Sequence, residues 1–144
     1  MIKIIAVGKI KDKYFKDAID EYIKRLSKYV EVKIIEVDDS NMEKEKELIE
    51  KNINVKDFVI TLEIEGKQLS SIDLAKKIDS VFNNYPNLCF IIGGSDGLHN
   101  SIKEKSNYQL SFSKLTFTHQ MFRVMLLEQV YRAYKINNNE TYHK

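Results

Sequence analysis

Apolar residues along this chain come in short unbroken runs that alternate with stretches of helical spacing. Ile2 to Val7 is almost entirely apolar and ends at Gly8, the pattern of a strand covered on both faces. From Lys13 to Tyr29 the period changes. Tyr14, Ala18, Tyr22 and Leu26 recur every four residues beside a row of Phe15, Ile19 and Ile23, which predicts an amphipathic helix. Val30 to Val37 alternates, with Val30, Val32 and Ile34 set against Glu31 and Lys33, as a half-covered strand does. Asn41 to Lys51 reads as a charged helix capped by Asn or Ser, with only Met42, Leu48 and Ile49 to bury. Phe58 to Leu62 is the next strand and runs into Glu63-Ile64-Glu65-Gly66-Lys67. Ser70 or Ser71 then caps a helix over Leu74, Ile78, Val81 and Phe82, closed by Asn83-Asn84. Pro86, the only proline, leads into Leu88-Cys89-Phe90-Ile91-Ile92, a run that predicts a strand buried on both faces. A short helix over Leu98 to Ser106, a brief strand over Tyr108 to Phe112 and a long helix over His119 to Ile136 complete the chain.

Strands alternating with helices, without repeat or linker, predict one α/β domain over residues 1–144 with a mostly parallel sheet of about five strands and helices on both faces. The last helix is apolar over most of its circumference, from Met121 and Phe122 through Leu126, Leu127 and Val130 to Tyr134 and Ile136. Such a width is too great for one stripe facing one sheet. It predicts a second buried side and therefore a homodimer through this helix.

Composition narrows the class without identifying the chemistry. With 43% hydrophobic and 31% charged residues the chain is an ordinary globular protein. No stretch approaches the roughly 20 apolar residues of a membrane span, and the amino terminus begins directly as a strand without the marks of a secretory signal. A cytoplasmic protein without membrane attachment is expected. One cysteine, Cys89, lies inside an apolar run, and with three histidines besides it no structural metal site is expected. The net charge is only +2, but residues 1–28 hold eight Lys/Arg against four Asp/Glu, and residues 112–144 hold five against two. If the two ends meet, they form a basic surface suited to a polyanion such as RNA.

Chemistry is expected at the glycine-rich break after the buried run, Gly93-Gly94-Ser95-Asp96-Gly97, because ligands sit at the carboxyl ends of parallel strands. The same five residues satisfy a Gly-x-Ser-x-Gly elbow, with Ser95 as nucleophile, His143 or His119 as base and Glu104 or Glu128 behind it. A hydrolase of that kind needs a larger sheet and an oxyanion hole, and so short a pattern arises by chance wherever a glycine turn follows a strand. Gly8-Lys9 and Gly66-Lys67 lack the further glycines of dinucleotide and phosphate loops, so Gly66 alone reads as a turn residue. His99 reads as a surface residue at the start of its helix, and Asp96 as that helix's cap rather than a base. Three turn-like pieces remain: Leu62 to Gly66, Gly93 to Gly97, and Phe112 to Phe117. Side by side at one sheet edge they make a pocket of bare backbone and apolar side chains, suited to an adenine ring with its ribose and unsuited to a triphosphate.

Thr61-Leu62-Glu63-Ile64-Glu65-Gly66-Lys67, Ile91-Ile92-Gly93-Gly94-Ser95-Asp96-Gly97-Leu98, Ser111 through Gln120, Glu128-Gln129-Val130-Tyr131-Arg132-Ala133 and the terminal Tyr142-His143-Lys144 together resemble the RlmH family of SPOUT-class methyltransferases. The likeness spans essentially the whole chain, with Thr118 standing where relatives commonly carry proline. It implies a C-terminal trefoil knot, which neither composition nor periodicity reveals. It also implies S-adenosyl-L-methionine as cofactor, an obligate homodimer, and N3 of a pseudouridine in large-subunit ribosomal RNA as substrate. A chain this small with a net charge of only +2 points to the large preformed surface of an assembled ribosome rather than free RNA. By carry-over, the cofactor contacts are Leu62, Gly93, Gly94, Phe112, Ser113, Lys114, Leu115, Thr116 and Phe117. His119, Glu128, Arg132, Tyr142 and His143 are the catalytic candidates, and Arg123, Arg132 and Lys144 the RNA contacts. The family's tail crosses from a partner subunit, so Tyr142 and His143 are expected over the acceptor base, one histidine assisting removal of its proton. A non-catalytic RNA-binding dimer with a vestigial pocket is the other reading to be separated from this one.

Overall fold

The computed structural model describes residues 1–144. Its core is a five-stranded sheet in the order β2-β1-β4-β3-β5, and every neighbouring pair is parallel. The strands are β1 (Ile2–Val7), β2 (Val32–Val37), β3 (Asp57–Gln68), β4 (Asn87–Ile92) and β5 (Tyr108–Ser111). The helices are α1 (Lys13–Leu26), α2 (Met42–Lys51), α3 (Ser71–Val81), α4 (Asn100–Lys105) and α5 (His119–Asn137).

Strand periodicity explains the layers. In β1, Ile2, Ile4 and Ala6 join the core beneath α1, α3 and α5, whereas Ile5 and Val7 face the smaller core under α2 and α4. β4 divides in the same way, with Leu88, Phe90 and Ile92 on the first face and Cys89 and Ile91 on the second. Strands covered on both sides need apolar residues at every position, which is why these two occupy the middle of the sheet. β2, with its alternating pattern, lies at an edge. Asn41 and Ser70 are the helix caps of α2 and α3, accepting from the amides of Lys44 and Asp73.

Three expectations need correction. The cap of α4 is His99, whose Nδ1 accepts from Ser101 N at 3.1 Å, and Asp96 lies outside the helix in an exposed turn. Tyr14, placed by its spacing on the buried row of α1, is exposed. The wide apolar surface of α5 does not by itself require a second chain. The helix lies between α1 and α3 as well as on the sheet, so Leu126, Leu127, Val130, Tyr131 and Ala133 are all buried within the monomer. Met121 alone among its apolar residues is substantially exposed.

β5 is an edge strand, yet the helix that follows it returns to the centre of its layer. The connection, residues 112–118, must therefore cross the carboxyl end of the sheet. Gln120 fastens the arriving helix there, its Oε1 accepting from the amides of Lys11 and Asp12 at 3.0 and 3.2 Å.

Burial of weak acids makes the fold sensitive to alkali. Burial pushes the Cys89 thiol up to about 12, and burial with the charge of Asp79 pushes the Tyr134 phenol up to about 12. Both folded-state values exceed the unfolded ones, so the native state holds protons that the unfolded chain releases. The stability they contribute is complete below the unfolded values and is lost as pH rises toward the folded ones. The unfolding free energy from urea titration should fall by up to ~1.4 kcal/mol per pH unit for each group, for Cys89 as pH rises from about 9 and for Tyr134 from about 10, toward about 12, with the urea midpoint falling alongside. A midpoint unchanged over that range would contradict this assignment.

Candidate active site

β4, β3 and β5 lie side by side, so the loops at their carboxyl ends meet at one place. They enclose a cavity of about 610 Å³. Leu62, Gly93, Gly94, Phe112, Ser113, Leu115, Thr116 and Phe117 all line it. Lys114 is not among the lining residues and its side chain is exposed, so a contact from Lys114 to the cofactor would come from its backbone. His119, the first residue of α5, reaches the cavity with Phe122. The rings of Phe112 and Phe117 lie 4.9 and 5.9 Å from that of Phe122, forming an aromatic wall on α5.

Bare backbone is required on the opposite side. A Cβ on Gly93 would lie 2.8 Å from Gly97 C, 2.9 Å from Gly97 O and 3.0 Å from Leu98 Cγ. The Gly94–Gly97 turn closes on itself with Gly97 N donating to Gly94 O at 3.0 Å and Gly97 at φ +79°. The third loop arises inside a strand. β3 pairs with β5 as far as Leu62, leaves the ladder, and rejoins it at Lys67, so that Leu62 and Lys67 both stand opposite Leu110. Gly66 brings the excursion back, and a Cβ there would lie 2.8 Å from the backbone of Gln109 and Leu110. It is a close-approach residue rather than a free turn. The excursion carries Glu63, Ile64 and Glu65 to the cavity, where Lys103 of α4 joins them. Gly66 marks this loop in the sequence, whereas its charged wall is not evident from local pattern. The signal available was Lys103, which pairs with Glu63 at 3.7 Å.

These residues fit S-adenosylmethionine. Apolar and aromatic side chains suit its adenine, closely packed glycines admit its ribose to the backbone, and carboxylates suit its cationic parts. Lys103 is the only lysine or arginine in the lining, too little for a triphosphate.

A second constellation lies at the other end of α5. Glu128 accepts from Arg132 Nε at 3.1 Å and from its Nη2, and from the Tyr142 hydroxyl at 3.1 Å. The Arg132 guanidinium lies over the Tyr142 ring, 4.9 Å from its centroid, and Nη1 donates to His143 Nδ1 at 3.1 Å. The pair is half-buried and braced by the tail, so it is more than an ordinary i,i+4 surface contact. Hydrogen bonding to Glu128 raises the Arg132 guanidinium further above its usual range. Burial, then the neighbouring Tyr22 hydroxyl and the Glu128 charge, push the Tyr142 phenol up, so it remains a proton donor. Arg132 can only donate, so His143 Nδ1 accepts and its proton sits on Nε2. Lys144 is exposed. His119 opens α5 and Arg132 follows almost four turns later, about 20 Å along the axis at 1.5 Å per residue. Within one chain the cavity and the tail constellation are therefore apart.

Arg123 is not available to RNA. It is 1% exposed, Nη1 donates to Glu36 at 2.7 Å and Nη2 to the carbonyl of Gly8 at 3.1 Å. It ties α5 to the ends of β1 and β2, which corrects its place among the RNA contacts. No serine–histidine pair forms either. Ser95 is exposed and hydrogen-bonds to no histidine, while His99 is engaged by Ser101 and Glu43 and His143 by Arg132. No group of three or more His, Cys, Asp or Glu is placed to hold a metal ion, and no helix is long and apolar enough to cross a membrane.

A family model described as a predicted SPOUT methyltransferase matches residues 1–143. Ribosomal RNA large subunit methyltransferase H of Clostridium botulinum is 52% identical, with 99% of each chain covered. The protein of Methanococcus vannielii named putative ribosomal RNA large subunit methyltransferase H is 49% identical over the same shares. Among solved structures, a probable methylase family protein from Haemophilus influenzae superposes with a TM-score of 0.60 at 16% identity, covering 99% of this chain and 70% of that one. The structural likeness speaks for the fold and the full-length identities for the lineage: the chain belongs to the SPOUT methyltransferases, in the ribosomal RNA large subunit methyltransferase H family.

Proposed function

We propose that this protein methylates N3 of a pseudouridine in large-subunit ribosomal RNA, using S-adenosylmethionine, as a cytoplasmic homodimer acting on the assembled ribosome. The observation that carries the reading is the meeting of two strand-end loops and the excursion within β3 in one cavity of aromatic rings and bare backbone. The trefoil knot and the dimer go with the family. The dimer has a second support in the distance, about 20 Å on one helix, between the cavity and the tail constellation, which a partner's tail would bridge.

When bound, S-adenosylmethionine supplies an electrophilic methyl group on a sulfonium. The protein's part is positioning and charge. Phe112, Phe117 and Phe122 exclude water from one side of the cavity. Arg132, held in place by Glu128, carries a fixed positive charge for a phosphate or for the base. The His143 Nε2–H adds a donor that stabilises the anion developing on the imide as its proton leaves, while the Tyr142 hydroxyl, donating to Glu128, holds in place the carboxylate that fixes Arg132. In this arrangement the tail is donor-rich, because Arg132 occupies the acceptor nitrogen of His143. His119 at the cavity is then the histidine free to assist proton removal. A filter assay with tritiated donor tests the whole reading. Label should enter large-subunit RNA in unmethylated assembled ribosomes and much less in naked RNA. No label in either would overturn it.

A further inference from the structure

The charged wall of the cavity has no task in the reaction described so far. Where β3 leaves its ladder, Glu63 swings to the cavity, and its carboxylate is not free to rotate. Thr61, fully buried, donates its hydroxyl to Oε2 at 2.6 Å, and Lys103 Nζ stands 3.7 Å from Oε1. The Glu63 side chain is 11% exposed against 37% for Lys103. Water therefore screens the cation more than the carboxylate, and the field inside the cavity is negative. Glu65 on the same excursion is exposed and contributes little.

A methyl donor and its demethylated product share an adenosine and an amino-acid end. They differ by one positive charge on sulfur. Backbone amides touch the two forms alike, and the three phenylalanine rings favour the cation only modestly. A fixed, poorly solvated carboxylate can separate them. Resting on the cofactor assignment above, we propose that Glu63 is the specificity-determining residue through which the cavity prefers the sulfonium donor to the neutral thioether product, with Thr61 and Lys103 as its positioning residues. The consequence for turnover is release. Transfer of the methyl group removes the charge that Glu63 holds, and the product is bound more weakly than the donor that replaces it.

Calorimetric titration of the full-length protein with S-adenosylmethionine, S-adenosylhomocysteine and adenosine tests this, thermal melting serving as the folding control. Glu63→Gln is expected to weaken donor binding roughly tenfold, the size of one partly screened charge at intermediate dielectric. Product and adenosine should change less than about twofold, so the donor-to-product preference falls by the same factor. Equal weakening of all three would overturn the proposal, as it would make Glu63 a contact to the shared nucleoside. An unchanged preference would overturn it too. If Glu63→Gln does not fold, Thr61→Val, which keeps the carboxylate but releases it, should lower the preference about threefold, and no change there counts against the proposal. Wild-type protein that binds none of the three ligands would instead refute the cofactor assignment itself.

Discussion

A chain ending at Thr141 is expected to lose methyl transfer by at least ~100-fold while binding S-adenosylmethionine within about threefold of the intact protein. The three deleted residues supply the Tyr142 hydroxyl, the imidazole of His143 and the terminal Lys144, and none of them lines the cavity. Donor affinity should therefore survive while the geometry around the acceptor does not. Some stability is lost with them, because Tyr142 packs edge-on against Tyr131 and its hydroxyl is one of the partners of Glu128. A melting temperature lower by a few degrees is expected at the working concentration, still well above assay temperature. Single-turnover rates on ribosomes, with donor affinity measured separately, distinguish the two effects. Near-normal turnover by the shortened chain would remove the tail from the chemistry.

Gly93→Ala should act in the opposite sense, abolishing donor binding while the tail constellation stays in place. The added methyl group would meet backbone atoms of Gly97 at 2.8 and 2.9 Å, and neither is the end of a flexible side chain. The Gly94–Gly97 turn must move, and that turn is a wall of the cavity. Donor affinity is expected to fall by ~100-fold, about 2.7 kcal/mol, near the upper end of what forcing extra atoms into a packed site costs. The two variants together test the dimer. In an exchanged equal mixture, half of the dimers pair a sound cavity on the tailless chain with a sound tail on the Gly93→Ala chain. If the tail crosses between subunits, such a mixture should regain about a quarter of wild-type activity. If each tail serves its own chain, the mixture stays as inactive as its components.

How much of this was legible beforehand depends on how far apart in the chain the deciding contacts lie. The central strands were readable because coverage on both faces demands apolar residues without interruption, and Leu88 to Ile92 obeys that demand locally. The loops of the cavity were readable through their glycines and their family pattern. Three other features depended on long-range packing. Arg123 looks like a surface cation on a helix, and only its meeting with Glu36 and Gly8 buries it. The width of α5 suggested a second subunit because no local signal shows that α1 and α3 flank it on both sides. Glu63 looked like one charge among several until the register of β3 against β5 lifted it from the sheet. In each case the residue's own chemistry was plain and its neighbour was not.

The last helix of the chain is also the piece that closes its layer, filling the gap between α1 and α3 and carrying the far wall of the cavity. Until α5 docks, then, the face of the sheet between α1 and α3 stays open. A shortened product that stops before α5 would have neither a sealed interior nor anywhere to hold the methyl donor. Such fragments would be inert and easily degraded, because one helix both seals the interior and completes the site that holds the donor.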